Sequence, residues 1–80
     1  MKVYVLLFGN LVDIVKVNKI NIELSDSITD TALLKNYLKE KYSKLTGLNY
    51  LLSVNQHIIR ENKAIYDGDE IALLPPFSGG

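Results

Sequence analysis

Ile71-Ala72-Leu73-Leu74-Pro75-Pro76-Phe77-Ser78-Gly79-Gly80 closes the sequence, an apolar run broken by two prolines and followed by a diglycine. The apolar run, opened by Glu70, predicts a strand over 70–74. Proline has no N–H to give to a sheet ladder and its φ is fixed, so the chain leaves the sheet at Pro75. The prolines then favour a stiff, extended stem of polyproline II type. Beyond Phe77 and Ser78, two glycines carry the terminal carboxylate on the thinnest thread a polypeptide can make. Residues 1–74 are therefore expected to form one domain, and residues 75–80 a flexible tail.

The last strand has one counterpart. Val3-Tyr4-Val5-Leu6-Leu7-Phe8 is also continuously apolar and rich in β-formers, and Gly9-Asn10 bounds it. Continuous apolar runs belong to strands covered on both faces, whereas half-buried strands alternate. The first and last strands are accordingly placed side by side in the centre of a sheet. Between them, 18–24 alternates, with Ile20, Ile22 and Leu24 on one face and Lys19, Asn21 and Glu23 on the other. The segment 11–17 reads either as a short helical turn or as the start of that strand. A helix is expected from about Asp30 to Leu45, with Leu34, Leu38, Tyr42 and Leu45 at helical spacing and Leu33 and Tyr37 widening the stripe. Asp26 and Asp30 suit its start, and Gly47 suits its stop. Leu51–Val54 and His57–Arg60 read as a hairpin turning at Asn55-Gln56, and Asp67-Gly68-Asp69 as a turn before the last strand. One helix against one sheet of this order is an α+β domain, a β-grasp or ubiquitin-like fold with a mixed sheet and parallel central first and last strands.

A single helix covers one sheet face, yet the central strands are apolar on both. Tyr4, Leu6 and Phe8 with Ala72 and Leu74 should then line an exposed apolar patch beside the tail, unless segments 11–17 and 61–66 cover it. Patches of this kind mark partner surfaces.

Composition narrows the function. Nine Lys plus Arg balance nine Asp plus Glu, which recommends no polyanionic partner, so no nucleic acid is expected. There is no cysteine, which excludes disulfides and thiolate metal sites. The first apolar run is too short to span a bilayer and no signal-peptide pattern surrounds it, so no membrane partner and a cytoplasmic location are expected. His57 is the single histidine and sits on a turn without a second metal ligand of its kind. Asp67, Asp69 and Glu70 resemble a carboxylate cluster, but they lack the remaining ligands of a calcium loop, and turn formation explains them. Lys35, Lys39, Lys41 and Lys44 fill the outer helix face as solvated charge. No glycine-rich phosphate loop or nucleophile elbow is present, and the chain is not expected to be an enzyme on its own.

The stretch from Asp67 to Gly80 resembles the C-terminal signature of the small subunit of molybdopterin synthase, the MoaD family. That signature runs Asp-Gly-Asp, a short apolar strand, Pro-Pro, a variable residue, Ser or Thr, then Gly-Gly. Val54-Asn55-Gln56 resembles the family's hairpin, and Leu7-Phe8-Gly9 the end of its first strand. The family's Arg-Glu after that strand is replaced here by Leu11-Val12-Asp13-Ile14. The resemblance implies a sulfur carrier. The Gly80 carboxylate is adenylated by an activating enzyme (MoeB-like) using ATP and Mg, then becomes a thiocarboxylate. The tail enters the large synthase subunit (MoaE-like) and gives sulfur to precursor Z, cyclic pyranopterin monophosphate. No cofactor is expected to bind the chain itself. Gly79 and Gly80 would form the reacting end, and Phe8, Leu74, Pro75, Pro76, Phe77 and Ser78 the partner contacts. The rivals are a thiamine-pathway sulfur carrier, a ubiquitin-like modifier of lysines, and a β-grasp adaptor without terminal chemistry.

Overall fold

The computed structural model describes residues 1–76. In chain order the elements are β1 (Lys2–Leu7), α1 (Asn10–Val15), β2 (Lys19–Glu23), α2 (Thr31–Lys41), a 3-10 turn (Ser43–Leu45), β3 (Leu51–Val54), β4 (His57–Ile59) and β5 (Glu70–Leu74). The five strands form one sheet in the order β2-β1-β5-β3-β4. β1 and β5 run parallel in its centre, with Val5 opposite Ile71 and Leu7 opposite Leu73. The other pairings are antiparallel. This is the expected β-grasp sheet, with its main helix across one face.

The period-2 alternation of the central strands decides what the helix covers. Val3, Val5, Leu7, Ile71 and Leu73 face α2 and are fully or almost fully buried, together with Ile22, Leu52 and Val54. Leu34, Leu38 and, from the 3-10 turn, Leu45 close that core from the helix side. A buried aliphatic side chain of this size contributes about 1.5–3 kcal/mol. This layer is what holds so small a domain together.

The structure decides one open expectation and corrects three others. Residues 11–17, read two ways in the sequence, contain the short helix α1, and Leu11 drops into the core. The main helix does not run to Leu45 but stops at Lys41. Tyr42 leaves helical space at φ −123°, ψ 84°, and one 3-10 turn carries Leu45 back to the core. Leu33 does not widen the apolar stripe. It is 40% exposed, whereas Tyr37, one turn further on, is half-buried and packs against the core as expected. Strand β4 ends at Ile59, one residue short of the expected Arg60.

The N-terminus of α2 is closed by side chains. Asp30 adopts an extended conformation and its Oδ1 accepts from the Leu33 N–H at 2.9 Å. Asn62 Oδ1 accepts from Ala32 N–H at 2.9 Å and Thr31 Oγ1 at 3.0 Å. These bonds satisfy donors that a helix start leaves free. The Leu33 N–H, followed by the Asn62 side chain, holds the Asp30 carboxyl below the usual carboxylate range.

Candidate functional site

Among the described residues, no further helix or strand covers the sheet face turned away from α2. Segments 11–17 and 61–66, the two stretches able to cover it, send Leu11 and Ile65 into the core, and Val12 reaches the edge of this face, beside Leu6 and Phe8. α1 touches the 3-10 turn. Ala64 bridges to Asp30 at the helix start. The open face is crossed by a row of paired residues, Ile58, Ser53, Ala72, Leu6 and Lys19, read directly from the strand register. Ser53 and Ala72 are small and become buried between larger neighbours. They form the floor of a shallow apolar surface. Ile58 is 42% exposed at one side of it, and Phe8, at 45%, stands beyond Leu6 at the other. Leu74 pairs with Leu51 along the same face.

Four of the residues expected to meet a partner can be placed on this surface. Phe8 is exposed, Leu74 is half-buried, Pro75 is half-buried and Pro76 is exposed. They fall together because the parallel pairing of β1 and β5 ends at this point. The Phe8 N–H donates to the Leu73 carbonyl at 3.1 Å, the last bond between the two strands. Phe77, Ser78, Gly79 and Gly80 lie outside the described residues.

Sequence reasoning missed three contributors. Leu51 and Ile58 belong to the open face, and the alternation of β3 and β4 carried that signal. Gly9 is the third. A β-carbon on it would lie 2.8 Å from Pro75 Cγ, so the tail root rests on the one residue without a side chain. The glycine between a strand and a helix was the only sign of it.

The Asp67-Gly68-Asp69 turn is a clasp at the opposite end of β5. Gly68 takes φ +85°, a left-handed value that glycine accepts without strain. The Lys2 N–H donates to Asp67 Oδ1 at 2.7 Å and the Tyr66 N–H to Asp69 Oδ2 at 2.8 Å. Asn55 Nδ2 donates to Asp69 Oδ1, and the Glu70 N–H donates to Asn55 Oδ1, each at 2.9 Å. The carboxylates are thus engaged with N–H donors. Among the described residues no three His, Asp or Glu side chains gather to hold a metal ion, and no helix is long and apolar enough to cross a membrane.

A mixed sheet with parallel central strands, one main helix, and a proline stem leaving the last strand beside an open apolar face defines a ubiquitin-like β-grasp protein. A family model narrows the class. The chain belongs to the ThiS family, whose model matches residues 5–80. It is 30% identical to the molybdopterin synthase sulfur carrier subunit of Chlamydomonas reinhardtii, with all of both chains covered. Among solved structures it is similar to a chain in the complex of subunits 1 and 2 of the molybdopterin-converting factor from Helicobacter pylori. There the identity is 33%, the TM-score 0.72, and both chains are fully covered. The small archaeal modifier protein 1 of Methanosarcina acetivorans shares the fold at 24% identity and a TM-score of 0.77, over 99% of this chain and 96% of that one.

Proposed function

We propose that this chain is the sulfur-carrying small subunit of a molybdopterin synthase and is not a catalyst by itself. The observation that carries the reading is the placement of the Pro75-Pro76 stem. It leaves the central strand beside an exposed apolar face, and the sequence then closes on Gly79-Gly80. The full-length likeness to a sulfur carrier subunit and to a chain seen with its second subunit supports this reading.

The chemistry follows from what a bare carboxylate lacks. A carboxylate is a poor electrophile, because neither oxygen leaves readily. In an activating enzyme that holds ATP and Mg, the Gly80 carboxylate attacks the α-phosphorus and pyrophosphate departs. A hydrosulfide equivalent then adds to the acyl carbon and AMP leaves, giving a thiocarboxylate. In the large subunit its sulfur attacks an electrophilic carbon of the pterin precursor and displaces an oxygen leaving group, so that carrier and pterin are joined through a thioester. Water then cleaves the acyl–sulfur bond and returns the carboxylate. The chain's own residues do three things in this scheme. Phe8, Leu74 and the open face dock against the partner. Pro75 and Pro76 limit the freedom of the stem, which lowers the ordering cost of insertion. Gly79 and Gly80, without β-carbons, let the backbone approach closely. Phe77 and Ser78 would line the entry.

A cytoplasmic carrier fits this chemistry, since ATP and the activating enzyme must reach it. The test is incubation of the purified chain with an activating enzyme, ATP, Mg and sulfide, followed by addition of a large subunit and the pterin precursor. Sulfur in the pterin supports the reading. Transfer to a thiazole precursor, or isopeptide adducts on lysines, would replace it with one of the rivals.

A further inference from the structure

We infer that Gly9 is a positioning residue for the C-terminal tail, acting through the ring of Pro75. Gly9 does three structural tasks in one place. It ends β1 after the last inter-strand bond at Phe8, and it is the N-cap of α1, its carbonyl accepting from the Val12 N–H at 3.2 Å. It also lies under Pro75, where a β-carbon would come within 2.8 Å of Cγ and 3.4 Å of Cδ. Real β-carbons essentially never approach heavy atoms to 2.8 Å. The atom in the way belongs to a closed ring fixed to the backbone, so it cannot swing aside as the end of a flexible side chain does. Relief requires displacement of Pro75 itself. Gly9 also sits at φ +60°, ψ −140°, a conformation that residues with side chains rarely adopt.

Displacing Pro75 acts at the root of the stem. Leu73 is pinned by the bond from Phe8, so residues beyond Leu74 pivot about that point. A rotation there redirects the proline stem from which the last four residues set out. Given the carrier role proposed above, the carboxylate must meet the reacting atoms of an activating enzyme. Misplacement by about 1 Å can cost a hundredfold in rate. Of the docking residues, Leu6, Ala72, Leu51 and Ile58 make no contact through the Gly9–Pro75 pair. Alignment and docking are therefore separable in this molecule.

The experiment follows sulfur loading by intact mass in the presence of the activating enzyme, ATP, Mg and sulfide. The wild-type chain, Gly9→Ala, Pro75→Ala and the double variant are compared, and the affinity of each for the activating enzyme is measured alongside. Gly9→Ala is expected to slow loading by about tenfold or more, with affinity unchanged within about twofold. In the Pro75→Ala background, with no ring to displace, adding Gly9→Ala is expected to change the rate by less than about twofold. Wild-type loading by folded Gly9→Ala, or the same loss in both backgrounds, overturns the inference. Should Gly9→Ala not fold, two other results decide. Nuclear Overhauser contacts between the Gly9 α-protons and the Pro75 ring are expected in the wild-type chain, as is slowed loading of Pro75→Ala at saturating activating enzyme, and absence of either overturns it. A wild-type chain that takes up no sulfur removes the carrier reading, and the positioning role with it. Wild-type loading beside an indifferent Gly9→Ala removes the positioning role alone.

Discussion

Asn55 and Asp69 are joined side chain to side chain, Nδ2 donating to Oδ1 at 2.9 Å across fourteen residues of sequence. The bond ties the β3–β4 hairpin to the turn that launches β5. A second bond, from the Glu70 N–H to Asn55 Oδ1, holds the same amide from its other side. Asn55 also occupies left-handed backbone space at φ 50°, as does Gln56 at 71°. One residue thus provides the turn conformation and the clasp. Asn55→Ala loses both and should destabilise the domain by about 1–3 kcal/mol in denaturant unfolding. Asn55→Gly keeps the conformation and loses only the bonds, so it should fall between the two.

The buried and exposed leucines at the start of α2 separate the core from the surface. Leu34 is fully buried, whereas its neighbour Leu33 is 40% exposed. Leu34→Ala should cost about 2–5 kcal/mol. Leu33→Ala should stay within about 0.5 kcal/mol of the wild-type chain. Equal costs at the two positions would mean that the helix packs on a different face.

Asp30 makes the helix start sensitive to acid. The Leu33 N–H and then the Asn62 side chain lower its pKa from the ordinary 3.8. A carboxylate with a lowered folded pKa contributes stability above its unfolded pKa and loses it as pH falls through the folded value. The wild-type chain should therefore lose melting temperature on acidification from pH 5 downward. Asp30→Asn, which keeps an N-capping oxygen without titrating, should lose less over the same range. Identical acid profiles for the two chains would show that the carboxylate plays no such part.

Much of this molecule was legible in the sequence because its signals were local and strong. The continuous apolar runs of β1 and β5 placed both strands in the sheet centre, and two prolines marked where the chain leaves it. Asn55-Gln56 and Gly68 marked turns through backbone conformation alone. The helix end was less legible. Leu45 keeps helical spacing with Leu38, and a 3-10 turn after Tyr42 delivers it to the core just as a longer helix would. Leu33 was misread because a stripe of leucines does not say how wide the contact with the sheet is. Ile58 and Gly9 were hidden for another reason. Their roles arise from pairings across the sheet, with Ala72 reached through Ser53 in one case and with Pro75 in the other.

The open face makes a prediction about association. Phe8 and Ile58 expose apolar surface with no core role to lose. Phe8→Asp and Ile58→Asp should each weaken binding to the large subunit by at least about tenfold, the loss expected at a central interface position. Their melting temperatures should remain close to that of the wild-type chain. Unchanged affinity would move the docking surface away from this face.

Sulfur loading at the terminal carboxylate of Gly80 is read by intact-mass measurement after incubation with an activating enzyme, ATP, Mg and sulfide. The expected result is a mass gain equal to the exchange of one oxygen for one sulfur, located by fragmentation in the C-terminal peptide. The gain should vanish when Gly79 and Gly80 are deleted, while the melting temperature is unchanged. An unaltered mass in the full chain, or a sulfur found on any other residue, would contradict it.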